Sequence, residues 1–321
     1  MVQLPCPLWQ GMDHLRSALR TAQQALDVDE SWRHAITMTG ELADCFADRS
    51  EGVQTILKVL SDCLSAASKP LCFTTGASFL PIEQAQQAPL EIASANWLAT
   101  AHWTARHISE ALLLDIGSTT SDFVPIVSAT VQAQGFSDAE RLVSGELLYT
   151  GAVRTPIMAV ASQAPFAGQW QALAAEHFAT MADIYRLTGQ LPEHADLLPA
   201  ADGAEKSLAA SARRLARLFG RDVESATLAP WRRCAQFIRG VQVNTLQMAV
   251  ERLLSKCTKA EQPCIVGAGV GRFLAKEIAE RLECTYRDMD SLFHGDEAVT
   301  NRAADCAPAA ALACLACEQM S

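Results

Sequence analysis

The sequence predicts an α/β protein with layered sheets. Short apolar runs alternate with longer amphipathic stretches along most of the chain, the signature of strands and helices taking turns. Half of the residues are hydrophobic and only 19% are charged, enough apolar material to build a core. At roughly 150 residues per domain, 321 residues suggest two domains.

The elements follow in order. Residues 2–8 read as a short strand interrupted by Pro5 and Pro7. A helix over 13–26 puts Leu15, Leu19, Ala22 and Leu26 on one face. Residues 35–39 form the next strand, with Glu41 just after it. Val53, Ile56, Leu57 and Leu60 recur at helical spacing and mark a helix over 52–66. A strand over 71–75 and a polar connection over 81–87 lead to a helix over 89–108, whose Trp97 and Trp103 read as core. A buried strand over 111–116 opens a Gly/Ser/Thr turn, and a strand over 123–127 returns from it. Residues 152–157 and 159–160 read as further strand. Helices over 166–185 and 205–219 flank an acidic connection at 192–203. A long helix over 232–256, a strand over 264–266, a glycine turn over 267–271 and helices over 272–282 and 303–317 complete the chain. No internal repeat or low-complexity tract interrupts it.

The charge balance narrows the partners. With 36 acidic and 26 basic residues the net charge is −10, which disfavours nucleic acid and anionic membranes because both select for basic surfaces. A local cationic pocket for a phosphorylated small molecule remains compatible with it. Eleven cysteines at irregular spacing point to a reducing cytoplasm rather than a disulfide framework. Cys314 and Cys317 form a C-x-x-C in an Ala-rich helical run, read as a packed helix face. No apolar run reaches the ~18 residues of a membrane span. The opening MVQLPCPLWQ lacks the basic start of a signal peptide.

Two constellations carry chemistry. In the first, an apolar strand ends at Asp115, and Gly117, Ser118, Thr119, Thr120 and Ser121 lead to Asp122. Turn amides and hydroxyls can donate to phosphate oxygens, and the flanking carboxylates of Asp115 and Asp122 can hold hydrated Mg²⁺. A plain hairpin with turn-forming residues is the bland alternative. In the second, a strand feeds Gly267, Ala268, Gly269 and Gly271 before a helix; the spacing is not G-x-G-x-x-G, so a nucleotide-type loop and close packing stand level. Glu41 and Glu146 are candidate bases, each equally readable as the acidic start of a helix. Asp183 and Arg186, one helical turn apart, are either an ion pair or diphosphate-facing groups. Arg154 is a candidate phosphate contact, and His177 is not read as a metal ligand.

These motifs carry a likeness. The D-x-G-S-T-T-x-D hairpin at 115–122 with the late G-A-G-x-G turn at 267–271 resembles the sugar kinase/Hsp70/actin superfamily. Within it the chain resembles the hydantoinase A/oxoprolinase group, in particular the methanofuran biosynthesis condensing enzymes linked to tetrahydromethanopterin-dependent one-carbon transfer. Residues 4–11, 37–42, 145–151 and 181–186 share in that likeness.

The resemblance implies an actin-like ATPase fold of two subdomains. The first spans 1–110, and the second, ribonuclease H-like subdomain spans 111–321 with a helical insertion at about 165–230. It also implies a transferase that joins a furan-methylamine diphosphate to a tyramine-type phenol and releases diphosphate, with Mg²⁺ at Asp115 and Asp122. An ATP-dependent kinase or amidohydrolase and a non-catalytic nucleotide-binding assembly factor are the alternatives. Superfamily members carry a strand, a first phosphate loop and a second strand ahead of the segment matching 2–9, whereas Met1 stands directly before that segment here. An upstream start is the expectation this raises, along with weak diphosphate binding by the 321-residue form. The oligomeric state is not legible.

Overall fold

The computed structural model describes residues 1–257 and 263–320. Its first part surrounds a three-stranded sheet. After a 3₁₀ turn at Leu8–Gln10 come helix α1 (Met12–Ala25), strand β1 (Ala35–Ile36), helix α2 (Arg49–Cys63) and strands β2 (Leu71–Phe73) and β3 (Phe79–Pro81). The short helices α3 (Ile82–Ala85) and α4 (Pro89–Ile92) follow. β1 pairs parallel with β2, and β2 antiparallel with β3. The apolar face of α2 supplies Val53, Ile56, Leu57 and Leu60 to a small core with Ile36, Met38 and Cys72.

The second part is a three-layer sandwich. Helix α5 (Asn96–His107) leads into β4 (Ala111–Ile116), β5 (Ser121–Val127), β6 (Thr130–Val131), helix α6 (Asp138–Ser144) and β7 (Leu147–Leu148). A small hairpin of β8 (Gln163–Phe166) and β9 (Gln169–Ala172) precedes α7 (Met181–Leu187), α8 (Leu208–Leu218) and the long α9 (Leu228–Cys257). The chain ends with β10 (Cys264–Ala268), α10 (Arg272–Arg281), β11 (Thr285–Asp288), α11 (Glu297–Asp305) and α12 (Ala307–Met320).

The main sheet runs β11-β10-β4-β5-β6, with β7 added against β5. β4, β10 and β11 are parallel, and β5 is antiparallel to both β4 and β6. This is the strand order and direction of a ribonuclease H-like sheet.

Side-chain alternation assigns the two faces of this sheet. Leu112, Leu114, Ile116 and Phe123 point into a core with residues of α7, α8, α9 and α10. Leu113, Val124 and Ile126 point the other way, toward Trp97, Leu98 and Trp103 of α5 and Leu312 of α12. Because Asp115 and Asp122 lie two residues from Leu113 and Val124 and so share their face, both carboxylates fall on the α5 side.

Several expected elements differ, each for a local reason. Residues 2–7 form no strand, consistent with prolines at 5 and 7 that cannot donate to a ladder. The helix expected over 166–185 is instead a hairpin followed by a short helix. Ala167 and Gly168 both adopt positive φ, the backbone of a two-residue hairpin turn, and Ala164 and Phe166 alternate inward. The helix over 89–108 splits at Ser94, whose φ is +54°. The last helix splits into α11 and α12 at Cys306, two residues ahead of Pro308, which has no amide to continue the first. Residues 152–157 run as an irregular segment against the 117–120 turn rather than as a strand.

Among the described residues no helix is long and apolar enough to cross a membrane.

Candidate active site

Asp115 and Asp122 are direct partners across the β4–β5 hairpin, so their side chains leave the same face side by side. Asp115 is 7% exposed, makes no ion pair among the described residues, and accepts a 3.4 Å hydrogen bond from Thr100 Oγ1. Burial, reinforced by the neighbouring Asp122 charge, pushes its pKa up to about 7. Asp122 is also raised by burial, but Arg141 opposes the shift through a 2.5 Å contact to Oδ1.

Arg141 is the residue the sequence reading missed. It is 1% exposed, lies with its guanidinium carbon 3.6 Å from the Trp97 ring centre, and donates through Nη2 to the Glu146 carbonyl at 3.0 Å. Its position follows from α6, which a Ser137/Glu140 capping box starts and Gly145 ends in the left-handed region. The S-x-x-E at 137–140 was the available signal for that helix. Nothing in the sequence says that Arg141 faces β5. Trp97 is buried as expected, yet it forms a wall of the site as well as part of the core.

Glu41 joins the same charged neighbourhood. It is 1% exposed; Oε1 accepts from the Ser94 amide at 2.8 Å and hydroxyl at 3.1 Å, and Oε2 has no partner. Burial raises its pKa, with a smaller push from Asp138. Burial raises the pKa of the exposed Tyr149 phenol, with smaller opposing effects of Asp138 and Arg49. An Arg49–Asp138 contact of 3.4 Å joins the first part of the chain to the second here.

Glu146 stands differently. Its fully buried carboxylate accepts the amides of Gln134 and Gly135 and the Ser144 hydroxyl at 2.9–3.3 Å. Those loop amides need an acceptor away from water, so Glu146 is a loop clamp and not a base with an open oxygen.

The turn itself is held from behind. Gly117 N–H donates to Thr120 O, while the amides of Ala152, Val153 and Arg154 donate to the carbonyls of Gly117 and Ser118. The amides of Ser118, Thr119 and Thr120 donate to no acceptor among the described residues, and their side chains are half-buried. Free amides on a rigid turn are an anion-binding arrangement.

The second loop does not have that form. Residues 265–271 are buried; Gly269 N–H donates to Ala304 O and Gly271 N–H to Ile116 O, each at 2.8 Å. A Cβ on Gly267 would come 2.5 Å from the Tyr286 hydroxyl. Gly267, Ala268, Gly269 and Gly271 therefore serve as close packing between β4, β10 and α11 rather than as an open phosphate cradle. Gly269 has φ +79°, and a Cβ there would sit 2.6 Å from Asp115 Oδ1. Gly269→Ala is expected to cost at least about 2 kcal/mol from strain and crowding and to displace Asp115. A denaturant midpoint unchanged from the parent would refute this.

Two cavities share a border at Trp9, Tyr149 and Arg154, and the first of them reaches the turn. One of about 550 Å³ is lined by Thr119, Arg154, Thr155 and His177 among others. The other, about 930 Å³, lies beside β1 and α1 with Leu15, Leu19 and Ile36 in its wall. Asp183 and Arg186 reach the first cavity but are engaged: Arg186 contacts Asp183 at 3.5 Å and Asp196 at 2.7 Å, and Arg214 also holds Asp183. They form a structural network rather than a diphosphate grip.

The donor set bears on the expected Mg²⁺. No group of three or more His, Cys, Asp or Glu gathers among the described residues. Asp115, without an ion pair, suits a cation that draws its other ligands from phosphate oxygens and water, while Asp122 already gives one oxygen to Arg141.

Comparison with known proteins agrees with the motifs. The chain is 33% identical over 220 residues to (4-{4-[2-(gamma-L-glutamylamino)ethyl]phenoxymethyl}furan-2-yl)methanamine synthase of Methanocaldococcus jannaschii. That match covers 68% of this chain and 64% of the relative, so it spans less than two thirds of the relative's length. The protein of the same name from Methanococcus vannielii is 37% identical over 82 residues, 26% of this chain and 36% of its own. A nucleotide-free acetone carboxylase structure superposes with a TM-score of 0.47 and 10% identity, covering 83% of this chain and 46% of that one. Residues 33–306 match the hydantoinase/oxoprolinase family, and that span of most of the chain makes this protein a member of it.

Proposed function

We propose that this protein is an ether-forming synthase that joins a furan-methylamine diphosphate to the phenol oxygen of a tyramine-type acceptor and releases diphosphate. The observation that carries the reading is the 33% identity over 220 residues to a synthase whose product is a phenoxymethyl-furan methanamine. In the reaction the phenol proton leaves to a base and the phenolate oxygen bonds to the furan-bearing CH₂. The bond from that carbon to diphosphate breaks, and the diphosphate keeps the electron pair.

Three features of the chain support these roles. The free amides at 118–120 face charge that grows on the leaving group, where fixed donors act most strongly. Mg²⁺ held at Asp115 with phosphate oxygens supplies further neutralisation when bound. Glu41, buried with one unpartnered oxygen and a pKa raised by burial, is suited to take the phenol proton. We place the reaction in the cytoplasm, in the synthesis of a methanofuran-type cofactor for tetrahydromethanopterin-linked one-carbon transfer.

The test is incubation with the furan diphosphate, a 4-hydroxyphenethylamine derivative and Mg²⁺, without ATP, followed by mass spectrometry and diphosphate assay. Ether product and diphosphate in equal amounts are expected; no product, or a strict need for ATP, refutes the reading. Glu41→Gln keeps the Ser94 amide contact, so it is expected to fold normally and to lose about 10²–10⁴ in rate. Turnover within a few-fold of the parent would remove Glu41 from the mechanism.

A further inference from the structure

We infer that Arg154, stacked on Trp9, is the cation that grips the diphosphate beside the 117–120 turn. The inference rests on the proposed synthase reading for the source of the diphosphate, and on the structure for the site.

Arg154 is mounted rigidly at its backbone and free at its tip. Its amide donates to Ser118 O at 2.7 Å, so its Cα is fixed against the turn whose amides at 118–120 donate to no acceptor among the described residues. The side chain is exposed, and its guanidinium carbon lies 5.0 Å from the Trp9 ring centre. That stacking orients the guanidinium plane without neutralising it, leaving its N–H fork for an oxyanion.

The neighbouring arginines contrast with it. Arg141 is paired with Asp122, Arg186 with Asp183 and Asp196, and Arg272 with Asp288 and Asp305. Arg154 has no ion pair among the described residues, although the chain carries ten more acidic than basic groups. It borders the 550 Å³ cavity together with Thr119 and Thr155, so the unpaired cation and two hydroxyl residues, one of them from the turn, share one space. A two-phosphate anion matches two separated donor sets, the turn on one side and the guanidinium on the other.

Calorimetric titration of the whole protein with magnesium diphosphate, with orthophosphate and glutamate as comparison ligands, tests this. The parent is expected to bind diphosphate more tightly than orthophosphate. Arg154→Met should weaken diphosphate at least tenfold with an unchanged melting temperature, and Arg154→Lys should fall between them. Trp9→Leu should weaken binding a few-fold and Trp9→Phe should restore it. Arg154→Met binding diphosphate within twofold of the parent, or losing only glutamate, overturns the assignment. Tenfold weaker diphosphate binding in Arg154→Met, together with no ether product from the parent, leaves the anion site standing and refutes the synthase reading alone.

Discussion

Asp115→Asn is expected to lose about 10²–10³ in the rate of the proposed condensation while becoming more stable at pH 8. Asn matches Asp in shape and keeps an acceptor for Thr100 Oγ1, so the packing is retained. What changes is the charge. The Asp115 carboxyl has a pKa of about 7 in the folded chain, mainly from burial, against roughly 3.9 when unfolded. Between those values the folded state holds the extra proton, so its stability falls as pH rises through the window and the full cost stands above it. That cost is on the order of 2–4 kcal/mol.

Removing the charge should raise the melting temperature at pH 8 by about 4–8 °C, with the gap closing toward pH 4. Melting scans at the two pH values and a turnover assay check both halves. An equal loss of stability and activity would mark Asp115 as structural. A residue that weakens the fold at working pH is retained for what it does to a ligand.

Arg141→Met is expected to damage the fold itself. The substitution leaves Asp115 and Asp122 buried side by side with no guanidinium between Asp122 and the Trp97 ring. Breaking a buried pair on one side costs about 3–5 kcal/mol, and the lost stacking adds up to about 2. The loss should be larger at pH 8 than at pH 5, because an unpaired Asp122 is cheap only when protonated.

The double variant Asp122→Leu with Arg141→Met should recover most of the stability and none of the activity. Chemical denaturation of the single and double variants decides it; a single variant within about 1 kcal/mol of the parent would show the pair to be dispensable. By the same pairing, Asp122→Ala orphans a buried guanidinium and should lower stability as well as rate.

The sequence by itself determined the α/β class, the main strands around 111–127 and 264–266, and the hydroxyl turn between two aspartates. Those features are local. Apolar runs set strands, and a two-residue period puts Asp115 on the face of Leu113 and Asp122 on the face of Val124. Tertiary structure decided everything that depends on which surfaces meet. Glu41 and Glu146 look alike in sequence, yet one ends with an open oxygen beside Ser94 and the other clamps the amides of 134 and 135. The glycines at 267–271 match a phosphate loop in composition, but Ala304 and Ile116 take their amides once α11 packs on β10. Arg141 and Arg154 are both single arginines that their neighbours in sequence do not distinguish. A fold that buries one against Trp97 and leaves the other at a cavity mouth gives them opposite roles, because a guanidinium's effect is set by the charges and solvent around it.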